Sequence, residues 1–218
     1  MWVLSLCALW RLVIVETDTL AQHIAERSRD LPRFMVAIAG PPGAGKSTLA
    51  ESLRRALGDI GHTARIVPMD GFHLDNAILR HRGLMNRKGS PPSFDAAGFT
   101  HLVKRLADAS EDVAIPTFDR QRDIAIAGAE IIGKHESLLI VEGNYLFLNS
   151  EPWNKLQGLW DETIFIDPPV KILEARLVER WVRFGLNEPD ARERALSNDI
   201  PNAHYVIENS TPANILIS

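Results

Sequence analysis

Residues 40 to 48 read Gly40-Pro41-Pro42-Gly43-Ala44-Gly45-Lys46-Ser47-Thr48 and fill the pattern G-x-x-x-x-G-K-[ST] without a mismatch. That pattern is a phosphate cradle. Its glycines let backbone N–H groups turn inward toward a β-phosphate, where bulkier residues would block the approach. Within it Lys46 reaches the β/γ oxygens as a point charge, and the Ser47 hydroxyl is placed to ligate Mg²⁺. The flanking sequence agrees with this reading. Phe34 to Ala39 is a short apolar run of strand type directly before the loop. Thr48 to Leu57 follows it, with Leu49, Leu53, Ala56 and Leu57 on one helical face. Strand, loop, helix is the order in which a helix N-terminus adds its dipole to anion binding.

A chain of 218 residues suffices for one α/β domain with a lid. Hydrophobic residues make up 45% of it, enough for a full core. The net charge is −4 and no long basic stretch is present, which speaks against nucleic acid as a partner. Cys7 is the one cysteine, so no internal disulfide and no cysteine zinc site can form, and a reducing cytoplasm fits. Trp2 to Val15 is apolar apart from Ser5 and Arg11. As a helix, about 14 residues reach only ~21 Å, short of a ~30 Å hydrocarbon core. The basic flank and small-residue cleavage site of a signal peptide are weak. Residues 1–16 therefore read as an extension, and no membrane partner is expected.

Asp18 to Arg29 reads as a helix with Leu20 and Ile24 inward, and Gly58 and Gly61 stop the helix after the loop. Ala64 to Pro68 is a second strand, and Leu74 to Pro92 is an irregular segment over the site. Asp95 is placed to N-cap a helix carrying Phe99, Leu102, Val103 and Leu106. Val113–Phe118, Leu138–Val141, Thr163–Ile166 and Ala213–Ile217 are further strands, and Pro169 to Phe184 is a helix. Leu138 to Val141 has four apolar residues without alternation, as a strand buried on both faces requires. Strands alternating with helices predict a doubly wound, mainly parallel α/β sheet with ligands at the carboxyl ends of its strands.

Two acids stand where such a sheet places its active site. Asp70 follows the second strand, and Glu142 follows the strand Leu138 to Val141. Phosphoryl transfer needs Mg²⁺ held by oxygen ligands and a carboxylate near the acceptor hydroxyl. One acid as base and the other on the metal side meets that need, in either assignment. Gly71 and Gly143, next to these acids, indicate close backbone approach.

At these residues the chain resembles the P-loop kinases of the uridine kinase, pantothenate kinase and phosphoribulokinase group. Within it the chain is most similar to the bacterial branch labelled fructose transport system kinase or nucleoside kinase-like. The resemblance runs from about Ala37 to the C-terminus and leaves residues 1 to 16 outside. It rests on Pro68 to Asn76, Arg87 to Pro91, Asp119 to Asp123 and Glu142 to Leu146. It implies that Asp70 is the base and that Glu142 lies near Mg²⁺, with ATP as phosphoryl donor. It implies a single kinase domain over residues 17–218, with an acceptor-side segment near 71–95 and a helical lid near 176–200.

Arg176, Arg180 and Arg183 fall at i, i+4 and i+7, on one helical face, before the break Gly185-Leu186-Asn187-Glu188-Pro189. The resemblance makes Arg176 and Arg180 the lid arginines that reach the transferring phosphoryl group. Asn198 to Ala203 reads as turn-rich, and by likeness to pantothenate kinases Asn198 and Asn202 lie by the adenine. Phe72, His73, Asp119, Arg120, Arg122, Asp123, Asn144 and Tyr145 are the candidates for the acceptor pocket. Uridine kinases follow the aromatic-Asp pair with a histidine that meets the base. This chain keeps Phe118-Asp119 without one.

The expected activity is an ATP- and Mg²⁺-dependent kinase for a hydroxyl of a small-molecule alcohol, of sugar or sugar-like type. Uridine-type or pantothenate-type acceptors are the alternative, and a P-loop regulatory module without turnover is the second. A GTPase would need N-K-x-D, but Asn154-Lys155 continues as Leu156-Gln157. A transport ATPase would need an L-S-G-G-Q-like segment, and none is found. Oligomeric state stays open, a homodimer included.

Overall fold

The structure, a computed structural model, describes residues 16–218. The apolar stretch Trp2 to Val15, and with it the reading of an N-terminal extension, lies outside the described residues. The strands are β1 (Phe34–Ala39), β2 (Ala64–Pro68), β3 (Val113–Asp119), β4 (Ile124–Ile132), β5 (Leu138–Gly143), β6 (Glu162–Ile166) and β7 (Ile215–Ile217). The α-helices are α1 (Thr17–Ser28), α2 (Lys46–Asp59), α3 (Asn76–His81), α4 (Ala96–Asp108), α5 (Val170–Arg183), α6 (Glu188–Arg194) and α7 (Ile200–Asn209).

Five strands form one parallel sheet in the order β2-β5-β1-β6-β7. Every residue of β1 and β5 is buried, as the unbroken apolar runs predict. Their side chains divide by parity between two cores. Phe34, Val36 and Ile38 join Leu20 and Ile24 of α1, Leu53 and Leu57 of α2, and Leu173 and Leu177 of α5. Met35, Ala37 and Ala39 face Phe99, Val103 and Leu106 of α4 and the rings of Tyr145 and Trp153. Glu162 is buried at the start of β6 and accepts from His23 Nε2 at 2.8 Å and from Arg27, which ties α1 to the sheet. Among the described residues no helix is long and apolar enough to cross a membrane.

Register brings the functional loops level with one another. Ala39 pairs with Gly143, and Pro68 pairs with Glu142, so the chain leaves β1, β2 and β5 at the same edge. Asp95 caps α4 as expected, accepting from Gly98 N–H at 2.9 Å.

Three local expectations are corrected. β3 does not join the main sheet but pairs antiparallel with β4 in a separate hairpin. β4 was not foreseen because its alternation sets isoleucine against alanine, a weak contrast on a ribbon that stays largely exposed. The segment Asn198 to Ala203 is helical rather than turn-rich: a π-helical turn over Ala195–Asp199 runs into α7. Pro201 falls inside this continuous run, where its missing N–H leaves out one helical bond next to the widened π-helical turn. Leu74 to Pro92 contains α3, capped by the Asp75 side chain on Ala77 N–H.

Candidate active site

The loop after β1 ends at Gly45, whose φ of 99° is left-handed and opens α2 without a side chain over the cradle. Lys46 is only 7% exposed, and its Nζ donates to the Pro41 carbonyl at 3.0 Å. Burial lowers its pKa to about 8, with Glu142 and Asp70 acting in the opposite sense. The Ser47 hydroxyl donates to Glu142 Oε1 at 3.1 Å. Burial, and then the charge of Asp70, raises the Glu142 carboxyl above the ordinary range. A Cβ on Gly143 would lie 2.5 Å from Met69 Cβ, and one on Gly71 would lie 2.5 Å from the Pro116 carbonyl oxygen. Close approach is thus what these glycines provide. It draws the Asp70 loop against both β5 and the hairpin.

Asp70 lies in the 3₁₀ turn Met69–Phe72 directly after β2. Arg120, from the hairpin tip, donates through Nη2 to Asp70 Oδ2 at 2.8 Å. His73 lies against Phe94 and Phe118, with centroids 4.0 and 4.6 Å away, and its Nδ1–H donates to the Asp70 carbonyl at 2.8 Å. Desolvation lowers its pKa and favours the neutral ring. Lys88 Nζ donates to Asn76 Oδ1 (2.8 Å) and to the Asp123 carbonyl (3.0 Å), and pairs with Asp123 Oδ2 (2.8 Å). Asp70, His73, Arg120 and Asp123 are therefore brought together, with Asn76 and Lys88 added to them. Both lie in segments that carry the resemblance, but the sequence singles out neither as a pocket residue, since their shared partner Asp123 lies on the hairpin.

Other candidates are employed elsewhere. Asp119 accepts from the N–H groups of Gln121 and Arg122 at 2.9 Å each, and from Arg122 Nε at 2.7 Å. These two side chains close the hairpin turn instead of facing an acceptor. Phe72 packs edge-on against Phe99 of α4 at 5.2 Å, at the margin of the core. Tyr145 is fully buried among Phe94 and Trp153, and its hydroxyl donates to the Gly89 carbonyl. It supports the acceptor-side segment from beneath, so a substrate-facing Tyr145 is corrected. Asn144, half-buried, follows Glu142 and Gly143 at the end of β5.

The three arginines of α5 divide. Arg176 Nη1 donates to the carbonyls of Gly43 (3.4 Å) and Ala44 (3.3 Å), directly over the loop. Arg180 lies 3.6 Å from Asp199, while Arg183 turns to solvent and bonds Glu179 at 2.8 Å. Asn198 is buried and donates through Nδ2 to the Lys88 carbonyl at 3.0 Å, and Asn202 is buried as well. Both asparagines are thus placed on the helical run Ala195–Asn209. Sequence reasoning missed Arg194 as well, which donates to the carbonyls of Asn86 (2.8 Å) and Lys88 (3.4 Å).

The donor set suits the groups expected to bind. Ser47 and Glu142 form an all-oxygen pair, and no cluster of three or more metal-type side chains exists among the described residues. That is the arrangement for Mg²⁺, which keeps its waters and shares one or two protein oxygens with phosphates. A buried lysine whose one bond is to its own loop is likewise available to an anion.

Residues 35–183 match the model of the Phosphoribulokinase / Uridine kinase family. A crystal structure from Silicibacter sp. TM1040, provisionally named a fructose transport system kinase, is 45% identical and superposes with a TM-score of 0.87. The match covers 93% of this chain and 99% of that one. The uncharacterized protein YggC of Escherichia coli is 35% identical over 188 residues, 85% of this chain and 77% of its own length. A pantothenate kinase of Leifsonia xyli subsp. xyli is 32% identical over 166 residues, 74% of this chain and 51% of its own. With the cradle, the paired acids and the parallel sheet in place, the chain belongs to the phosphoribulokinase/uridine kinase family of ATP-dependent kinases acting on hydroxyl acceptors.

Proposed function

We propose that this kinase transfers the γ-phosphoryl group of ATP to a hydroxyl of a sugar or sugar-like alcohol. The carrying observation is the meeting of Lys46, Ser47, Glu142 and Asp70 at one edge of the sheet, with Arg176 over the loop. In this reading Lys46 holds the β/γ oxygens, and Ser47 and Glu142 would hold Mg²⁺, which would neutralise phosphate charge there. Asp70 takes the proton of the acceptor hydroxyl as its oxygen bonds to the γ-phosphorus and the bond to the leaving ADP oxygen breaks. Arg176 and Arg180 offset charge on the transferring group from a lid near residues 176–200.

Support for a sugar-like acceptor comes from the side chains beside Asp70. Arg120, Asp123, Asn76 and Lys88 are polar, whereas the rings of His73, Phe94 and Phe118 pack on one another instead of opening a slot for a base. The name of the Silicibacter relative points the same way. The proposed setting is the cytoplasm, where ATP is supplied. The test is a coupled ADP-release screen over sugars, polyols, nucleosides and pantothenate-type alcohols. A sugar or polyol should give the highest specificity constant. Uridine or cytidine at the top would overturn the acceptor class. ATP binding without ADP release on any acceptor would favour a regulatory module.

A further inference from the structure

Arg180 is held in an unusual way for a lid arginine. Its side chain is 32% exposed, and its Nε is buried with no hydrogen-bond partner among the described residues. Burial lowers its pKa, Asp199 and Asp70 oppose that, and Arg120 and Arg194 add like charge. It is near enough to Lys46 to depress the lysine as well. A flexible cation in such a field would swing into solvent unless something fixed it.

Two groups stand where they can fix it. The Trp181 ring lies under the guanidinium, with Cζ 5.4 Å from its centroid, and Asp199 lies 3.6 Å away. These two are joined to each other, since Trp181 Nε1–H donates to Asp199 Oδ2 at 2.5 Å. Asp199 is buried and closes the π-helical turn Ala195–Asp199, whose widened backbone is a recurrent feature of functional sites. Arg194 also lies over the Trp181 ring, 5.2 Å from the centroid, while bonding the carbonyls of Asn86 and Lys88. One ring thus contacts both Arg180 and an arginine anchored on the acceptor-side segment.

We propose that Trp181 and Asp199 are positioning residues that fix Arg180 toward the phosphoryl site before substrates arrive. The proposal rests on the reading of Arg180 as a lid arginine. Its physical content is preorganisation. An arginine already bracketed by a ring and a carboxylate loses little freedom in the transition state, so its charge acts there at full strength. Trp181 touches no reacting atom and acts only through Arg180.

The test compares Arg180→Ala, Trp181→Ala, Trp181→Phe, Asp199→Asn and the double variant Arg180→Ala/Trp181→Ala. ATP with D-fructose serves as the assay, and ATP hydrolysis is the acceptor-free readout. Trp181→Ala should lower kcat by about tenfold to a hundredfold with KM for ATP within about twofold, because transition-state charge is what it supports. Trp181→Phe keeps a ring beneath the guanidinium and should recover most of that loss. Asp199→Asn should resemble Trp181→Ala. In the Arg180→Ala background, Trp181→Ala should cost no more than about twofold further, as residues acting through one group are non-additive. Independent, multiplying losses would overturn the proposal and leave the lid reading intact. So would a lower melting temperature with unchanged kcat in both Trp181 variants. Wild-type turnover in Arg180→Ala would overturn the lid reading and the proposal together.

Discussion

Arg120 Nη2 donates to Asp70 Oδ2 at 2.8 Å, which ties the tip of the β3–β4 hairpin to the carboxylate behind β2. The arginine is 51% exposed and the acid 24%, so this is a pair at the mouth of the cleft. Exposed pairs of this kind contribute about 0–1 kcal/mol. A tie that weak can be exchanged for an acceptor hydroxyl without a large cost. Asp70 is therefore oriented at rest and remains free to take a new partner.

Replacing Asp70 by Asn keeps shape and hydrogen bonding but removes the basic oxygen. Turnover should fall by about 10²–10⁴-fold, the usual contribution of a general base. ATP affinity should change little, because the cradle is untouched, whereas Lys46→Ala should weaken both binding and turnover. Calorimetric ATP binding beside steady-state kinetics measures both. Loss of Mg-ATP binding in Asp70→Asn, with turnover per bound nucleotide intact, would make Asp70 a metal ligand and Glu142 the better base.

The Lys46 ammonium gives a pH dependence with a definite sign. Its pKa in the free protein is lowered from 10.5 to about 8. The charged form is thus disfavoured by folding, so below about pH 8 its burial costs stability. That cost is relieved as the pH rises from about 8 toward 10.5. Phosphate oxygens favour the ammonium, so ATP binding near pH 8 should take up protons. Calorimetry in buffers of different ionisation enthalpy reads that uptake, and Lys46→Ala should abolish it. Binding without proton exchange would mean that Lys46 is already fully charged in the free protein.

Gly143→Ala places a Cβ 2.5 Å from Met69 Cβ, an atom that cannot swing aside. A cost of about 1–3 kcal/mol is expected from overpacking, with turnover reduced as the neighbouring Glu142 shifts. Gly58→Ala is the control. Nothing lies within 4 Å of its added Cβ and it is within α2, so thermal melting should show a neutral or slightly stabilising change.

Tyr145→Phe retains the aromatic packing on Phe94 and Trp153 and removes one hydrogen bond to Gly89. Stability should drop by about 1 kcal/mol. Turnover on the best acceptor should stay within about twofold, since the hydroxyl supports the pocket floor without facing substrate. Chemical denaturation and kinetics on the same preparation separate the two. A marked rise in acceptor KM at unchanged stability would return Tyr145 to the substrate surface.

Much of the site was legible before the fold was known. The cradle is a contiguous motif, and Asp70 and Glu142 each follow an apolar strand whose burial is written in its own residues. Asp95 as a cap was readable because a cap acts within one turn. The reading failed where a side chain had a choice of partners. Asp119 and Arg122 found each other across the hairpin turn, and Asn198 found the Lys88 carbonyl. Position after a strand, or likeness to relatives, made them plausible pocket residues, but neither names the partner.

The sequence by itself determined the phosphate cradle, the parallel sheet and the two acids at its edge. These depend on interactions within a few residues, or on burial patterns with a fixed period. Tertiary structure decided which charges are left for chemistry. Arg120 reaches Asp70 only because β3 and β4 leave the main sheet, and Arg180 is bracketed only because a π-helical turn brings Asp199 back to α5. Residues 50 and 19 positions apart meet there, and no local pattern encodes such a meeting. Long-range pairing is set by how the packed elements converge.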